Sequence, residues 1–323
     1  MCFCRGTLIR TPDGEVPVEY LAIGDPVVTW GGQTRHITWI GLGRVLATRG
    51  RRNAATPVIV RKGALGQNVP HRDLHVTKGH SLFLDGALIP VEFLVNHRSI
   101  LWDDRAHEVS IYHIELATHD VLVANGAPAE SYRDDGNRWL FQNANSGWGL
   151  APQSPCAPVL TGGELVDAAW RRLLEQAGPR PGVPLTGDPG LHLLVDRKRL
   201  DATELCQDTY TFHLNTPPGS VRLVSRASAP QELGIARDPR VLGVAVRQIV
   251  LAQTGQLRTM EADDVCLADG YHGFESDWGI RWTNGDATVP GELFVGTTSA
   301  STLSVFLGGS TLYADFGDMR REA

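Results

Sequence analysis

No stretch of this 323-residue chain approaches the ~18 consecutive apolar residues that a membrane-spanning helix needs. The first residues also lack a charged stretch followed by an apolar one, so the chain as written shows no export signal and cytoplasmic residence is the default expectation. Basic residues are not gathered into a face or tail: the formal charge is -6, with acids and bases mixed along the sequence. That excludes the usual footprint of a nucleic-acid binder. A cluster such as Arg49-Gly50-Arg51-Arg52 reads as solvated loop. Cysteine is scarce, five residues at irregular spacing, which excludes a disulfide framework. Cys156, Cys206 and Cys266 read as reduced, partly buried small hydrophobes.

What is present is the composition of a globular protein long enough for two domains, with 42% hydrophobic and 20% charged residues. From Gly6 to about Asn143, short apolar or alternating runs are cut by Gly, Pro and Asp. Examples are 26–30, 36–40, 56–60, 81–84 and 110–112, all rich in β-branched and aromatic residues, and such runs are strands. Only Val18 to Leu21 and Val91 to Val95 have room for a helical turn.

Those two places are copies of one another. Pro17-Val18-Glu19-Tyr20-Leu21 recurs as Pro90-Val91-Glu92-Phe93-Leu94, and at the same offset Gly6-Thr7 falls on Gly79-His80. Each copy carries an Asp-Gly turn, Asp13-Gly14 and Asp85-Gly86. Two copies are too few for a solenoid. They predict two related subdomains face to face, with Cys2 to Thr7 and Thr77 to His80 meeting near a pseudo-twofold axis. A thiol is a strong nucleophile only as thiolate, so Cys2 needs a base or positive neighbour, and this arrangement supplies an imidazole.

Beyond Phe141 the Asn, Gly, Ser and Pro content reads as a linker over 143–160. A helix is expected from about Gly163 to Gln176, with Leu165, Val166, Ala169, Trp170, Leu173 and Leu174 on one face and Gly178 at its end. Strands are expected at 191–195, 209–214, 220–225 and 244–251, and Arg281 to Asp286 reads as a strand running into a turn. The predicted division is therefore 1–142, a linker at 143–160, and a mostly β, sandwich-like domain with one helix over 161–323. Trp278 and Trp282 read as core in preference to a ligand platform.

With these residues laid out, the first half resembles the Hint domains of inteins and hedgehog autoprocessing proteins, in particular a bacterial hedgehog/intein-like group. The resemblance rests on Cys2-Phe3-x-x-Gly6-Thr7, the run Pro17 to Asp25, Thr77-x-x-His80, and His119-Asp120-Val121-Leu122-Val123-Ala124-Asn125-Gly126. It implies a mainly all-β fold, a horseshoe-like disc with internal twofold duplication, and self-processing in a single turnover. By position in the family pattern, Cys2 is the nucleophile that attacks the preceding peptide bond. His80 is the proton donor to the departing nitrogen, Thr77 orients it, and His119 matches a later family histidine. His113 stands where many inteins carry an aspartate. The substrate is then the protein's own upstream segment, although only Met1 precedes Cys2 in this sequence.

Cys4 falls at a variable family position and is set aside as incidental. His71, His75, His80, His107, His113 and His119 could be imagined as a zinc cluster, but no Cys or carboxylate completes a recognised spacing, so neither metal nor cofactor is expected. After Ala124-Asn125-Gly126 the chain runs Ala127-Pro128-Ala129-Glu130-Ser131 and lacks the His-Asn pair that ends splicing inteins. Amino-side cleavage or transfer is expected, without splicing. The rival expectation is a catalytically silent protein that keeps the fold, its second domain contacting a protein or carbohydrate partner. A cysteine hydrolase acting in trans ranks below both.

Overall fold

The computed structural model of the protein describes residues 2–47, 52–53, 55–134, 136, 138–144, 153–178, 184–253 and 255–315. Two compact units divide it, Met1–Arg180 and Pro181–Ala323. Both are built mainly of antiparallel strands. Among the described residues, no helix is long and apolar enough to cross a membrane.

The first unit begins with β1 (Phe3–Cys4), β2 (Leu8–Thr11), β3 (Gly14–Pro17), β4 (Pro26–Val28), β5 (Thr34–Leu46), β6 (Pro57–Val60) and β7 (Leu74–Thr77). It continues with β8 (Ser81–Leu84), β9 (Ala87–Pro90), β10 (Ile100–Trp102), β11 (Glu108–Leu116), β12 (Val121–Ala124) and β13 (Ala127–Glu130), and ends in α1 (Glu164–Ala177). One sheet runs β10-β6-β7-β1-β11-β5-β4 and the other β3-β2-β12-β13-β8-β9.

The second sheet displays the sequence repeat directly. The β12–β13 hairpin lies at its centre, hairpin β2–β3 flanks one side and hairpin β8–β9 the other. Each outer hairpin leads through a proline, Pro17 at φ -56° and ψ 136° or Pro90 at φ -56° and ψ 132°, into a 3-10 turn at Val18–Tyr20 or Val91–Leu94. Proline suits this junction because its fixed φ ends a strand and its missing N–H deprives no ladder partner. The same polar contacts recur in both copies. Val18 N–H donates to Thr7 O at 2.8 Å, as Val91 N–H does to His80 O at 2.9 Å. Arg5 faces Glu19 at 3.6 Å, as Lys78 faces Glu92 at 3.4 Å.

The main apolar core of this unit has Phe3, Ile9, Val18, Val76, Leu82, Ile89, Val91 and Ile114 among its fully buried members, and a smaller cluster gathers Cys2, Cys4, Trp39, Val109, Ile111, Tyr132 and Phe141. Val166, Ala169 and Leu173 of α1 belong to the same core. The helix buries Val166, Ala169, Trp170, Leu173 and Leu174, a stripe at helical spacing. Glu164 and Asp167 occupy its first turn, where the helix dipole favours acids, and Gly178 at φ 74° ends it. The Trp170 indole N–H donates to Val95 O at 2.8 Å.

This corrects the expected division of the chain. The helix was assigned by sequence to the carboxy-terminal domain, yet its apolar stripe completes the first unit. The 153–160 stretch is not a free linker either: Leu88 N–H donates to Pro158 O and Leu160 N–H to Leu88 O, at 2.8 and 2.9 Å. Residues 145–152 of the expected linker lie outside the described residues. Leu165, placed on the apolar face by sequence, is 37% exposed.

The second unit contains β14 (Leu185–Thr186), β15 (His192–Val195), β16 (Lys198–Asp201), β17 (Glu204–Cys206), β18 (Thr209–Leu214), β19 (Val221–Val224) and a four-residue α2 (Pro230–Leu233). There follow β20 (Val244–Gln253), β21 (Gln256–Glu261), β22 (Tyr271–Glu275), β23 (Ile280–Thr283), β24 (Asp286–Val289), β25 (Ser301–Ser310) and β26 (Tyr313–Ala314). A four-stranded sheet, β16-β15-β19-β24, shares one core with a larger sheet ordered β17-β18-β25-β20-β23-β22, in which β21 also pairs with β20. Leu193, Leu223 and Val289 from the first meet Phe212, Ile249, Leu303 and Val305 from the second, which makes this unit a sandwich. Three expectations change here. Trp278 is 72% exposed on a turn instead of buried in core, while Trp282 is partly buried. Cys206 and Cys266, and Cys156 in the first unit, are exposed and unpaired.

Candidate functional site

The site begins beside β1, the central strand of the seven-stranded sheet. Phe3 pairs with Val76 of β7 on one side and with Tyr112 of β11 on the other. Carrying the antiparallel register one step back sets Cys2 opposite Thr77 and His113, and one step forward sets Cys4 opposite His75 and Ile111. The first step is fixed by hydrogen bonds. Cys2 N–H donates to Thr77 Oγ1 at 2.7 Å, and Thr77 N–H donates to Cys2 O at 2.9 Å. Thr77 therefore grips both sides of the Cys2 backbone.

His80 follows at the next turn, where its N–H donates to Thr77 O at 2.9 Å. Its ring lies against Phe3, with centroids 4.3 Å apart, and 5.1 Å from the ring of His113. His113 in turn meets Tyr132 edge-on at 5.1 Å. Cys2 is 3% exposed and both imidazoles are fully buried. Burial sets their protonation: it pushes the Cys2 thiol up from its usual range and holds both imidazoles well below 6.5, hence neutral at pH 7.

All four ring nitrogens of His80 and His113 are buried without a hydrogen-bond partner among the described residues. Leaving a buried donor or acceptor unpaired costs about 1–3 kcal/mol each, so two adjacent orphaned rings form a feature that a structural histidine does not need.

His119 is held differently. It accepts Cys156 N–H at Nδ1, 3.0 Å away, which puts its own proton on Nε2, 3.1 Å from Ser131 O. Burial lowers its pKa to about 4, with the nearby Arg133 adding to the effect. Glu130 stands 3.8 Å from Nε2 and is the main residue that sequence reasoning missed. Its carboxylate accepts Ser81 N–H at 2.7 Å, next to His80, and burial raises its pKa. It thus ties the His119 end of the site to the His80 end. Its only signal was a carboxylate in an otherwise apolar strand, Ala127-Pro128-Ala129-Glu130. Structure therefore brings Cys2, Thr77, His80 and His113 into one cluster and sets His119 beside it, already engaged at both nitrogens. Among the described residues, no group of three or more His, Cys, Asp or Glu side chains is placed to hold a metal ion.

The amino-terminal unit is a mainly β, internally duplicated domain with the Cys2 thiol just before β1, where its two copies meet. Residues 1–136 match the family model described as Hint domain, so the amino-terminal unit contains a Hint domain that spans under half of the chain. No curated protein matches the chain. Among solved structures, the chain is similar to a DnaB intein from Synechocystis sp. PCC 6803, at 12% identity over 41% of this chain and 98% of that one, with a TM-score of 0.29. It is also similar to a bacterial intein-like domain from Clostridium thermocellum, at 12% identity over 41% and 98%, TM-score 0.28. The MchDnaB-1 intein gives 15% identity over 39% and 98%, TM-score 0.29.

Proposed function

We propose that the amino-terminal unit is a self-processing module in which the Cys2 thiol attacks the carbonyl carbon of the peptide bond before it, giving a thioester. The observation that carries this reading is the grip of Thr77 on the Cys2 amide beside two neutral, partnerless imidazoles. An amide resists attack because resonance holds it planar. Cleaving it requires a base for the thiol and an acid for the leaving nitrogen. A neutral imidazole carries one N–H and one lone pair, so either ring can serve as either.

His113 lies on the register step opposite Cys2 and takes the thiol proton. His80, one turn beyond Thr77, gives a proton to the departing nitrogen. A C–S bond forms, the C–N bond breaks, and the Cys2 nitrogen leaves as a free amine. The upstream segment is the substrate and is then released or transferred. Splicing does not follow, because Glu130-Ser131 replaces the His-Asn pair whose side chain would cyclise; Glu130 accepts Ser81 N–H and Ser131 O meets His119 Nε2.

The test is a reporter segment fused before Cys2 in the full chain and treated with hydroxylamine. Release that needs Cys2 and slows about 100-fold in His80→Ala supports the proposal. Release that survives Cys2→Ala defeats it.

A further inference from the structure

Neither ring nitrogen of His113 has a hydrogen-bond partner among the described residues, so packing sets the plane of its imidazole. A histidine at work is more commonly oriented by a hydrogen bond at one nitrogen. Three rings pack against it: Phe3 at 6.0 Å, His80 at 5.1 Å and Tyr132 at 5.1 Å, the last edge-on at 73°. Phe3 and His80 adjoin Cys2 and Thr77 in the site itself. Tyr132 reaches it from later in the chain and is fixed by a separate buried network.

Tyr132 is fully buried, and its N–H donates to Ile114 O at 2.6 Å, next to His113 on β11. Its hydroxyl donates to the Asp134 carboxylate. Asp134 Oδ2 also accepts Arg138 Nε at 3.3 Å. The Arg138 guanidinium, almost fully buried, lies over the Trp39 ring at 4.2 Å and the Tyr132 ring at 5.3 Å, and its Nη2 donates to both oxygens of Glu115. Glu115 stands two residues beyond His113 on β11, so the two side chains leave the same face about 7 Å apart. Anchor and base thus share one strand. Opposite them on β5 are Trp39 and Gly41. A Cβ at Gly41 would come within 2.6 Å of both Trp39 and Phe141, so glycine is what lets these rings close over the face that carries His113. Asn143 ties down the end of the covering turn, accepting Leu42 N–H at 2.9 Å and donating to Ile40 O at 2.6 Å. A planar guanidinium held by two carboxylates and stacked on two rings fixes orientation more tightly than an apolar side chain in its place would.

We propose that Tyr132 is a positioning residue for the thiol step, its ring held by Glu115, Arg138 and Asp134 so that the His113 imidazole keeps the plane in which its lone pair faces Cys2. The inference rests on the thioester reading above. Tyr132 exchanges no proton and touches no reacting atom; it acts through His113.

The experiment uses the full chain with a reporter segment fused before Cys2 and follows hydroxamate formation by mass. Hydroxylamine is raised until the rate no longer increases, so that thioester formation is the step read. Rates are taken per folded molecule, with the folded fraction from tryptophan fluorescence. Tyr132→Leu should slow release about 10-fold or more, the scale of a displaced catalytic group, and Tyr132→Phe, which keeps the edge contact, should recover most of that loss. Arg138→Lys keeps the charge beside Glu115 but loses the flat stack on Trp39 and Tyr132, and should also slow release about 10-fold. The decisive readout is coupling. In His113→Ala, adding Tyr132→Leu should cost less than about 2-fold more, and in His80→Ala it should cost the full factor of about 10. Should Tyr132→Leu not fold, the same crosses with Arg138→Lys decide. A merely structural tyrosine would cost the same factor in both backgrounds. That result, or an unchanged rate in both Tyr132→Leu and Arg138→Lys, overturns this inference and leaves the thioester reading standing. Absence of hydroxamate from the unsubstituted chain overturns both.

Discussion

Replacing His119 by glutamine should flatten the acid side of the stability curve of the amino-terminal unit. In the folded chain its pKa is about 4 against an ordinary 6.5, because burial and Arg133 disfavour the charged ring. Between those values the unfolded chain binds the proton more readily, so stability is full above pH 6.5 and is lost as pH falls toward 4. A displacement of that size corresponds to about 3 kcal/mol at pH 4, a substantial part of the stability of an ordinary domain. Glu130 works in the opposite direction. Its pKa is raised, so the stability it contributes is present below its ordinary 4.5 and is lost as pH rises through the folded value. It remains in both proteins, and its contribution largely cancels in the comparison. His80 and His113, also depressed, act in the same sense as His119 and likewise remain in both. Urea unfolding followed by tryptophan fluorescence is a suitable assay, since six of the eight tryptophans lie in the first unit. The difference between wild type and His119→Gln should shrink by about 3 kcal/mol from pH 7 to pH 4. Parallel curves would refute the argument that His119 is held neutral by its surroundings.

Other outcomes follow from the packing. Arg138→Ala should destabilise the first unit by about 3–5 kcal/mol in urea unfolding, because Glu115 would be left buried without the guanidinium that now binds both its oxygens at 2.6 Å. Leu173→Ala should cost about 2–5 kcal/mol in the same assay, since that side chain is fully buried in the core of the first unit; a loss under 0.5 kcal/mol would mean that α1 does not belong there. Limited proteolysis should give an amino-terminal fragment ending near residue 180, and a stable fragment ending near 143 would contradict the docking of 153–178. With reporters on both flanks, mass spectrometry should find no joined product.

Much of the site was legible because it rests on local signals. The copied Pro-Val-Glu run located the internal duplication, and the duplication predicted that Cys2 would meet Thr77 and His80; the hydrogen bonds of Thr77 hold Cys2, while the ring of His80 packs on the neighbouring Phe3. The 3-10 turns were legible for the same reason: proline ends each preceding strand. What escaped depends on contacts between distant parts of the chain. An amphipathic stripe announces a helix without saying which core it fills, so α1 was given to the wrong unit. Val289-Pro290-Gly291 in the second unit repeats the same strand, proline and 3-10 turn, with Pro290 at φ -58° and ψ 136°, but its side chains differ enough to hide it. Glu130 reaches Ser81 across 49 residues of sequence. Trp278 misled because a large aromatic residue is usually buried, and here a turn holds it out in solvent.

The central claim is that Cys2 carries the upstream segment as a thioester, and the most direct measurement is the chemical identity of the released end. A reporter fused before Cys2 in the full chain, treated with hydroxylamine at neutral pH, should be released carrying a hydroxamate on its last residue. Only an activated acyl group yields that product under mild conditions. The product should vanish in Cys2→Ala and persist, more slowly formed, in His80→Ala. A released segment ending in a plain carboxylate in the presence of hydroxylamine, or a hydroxamate that still forms in Cys2→Ala, would contradict the account.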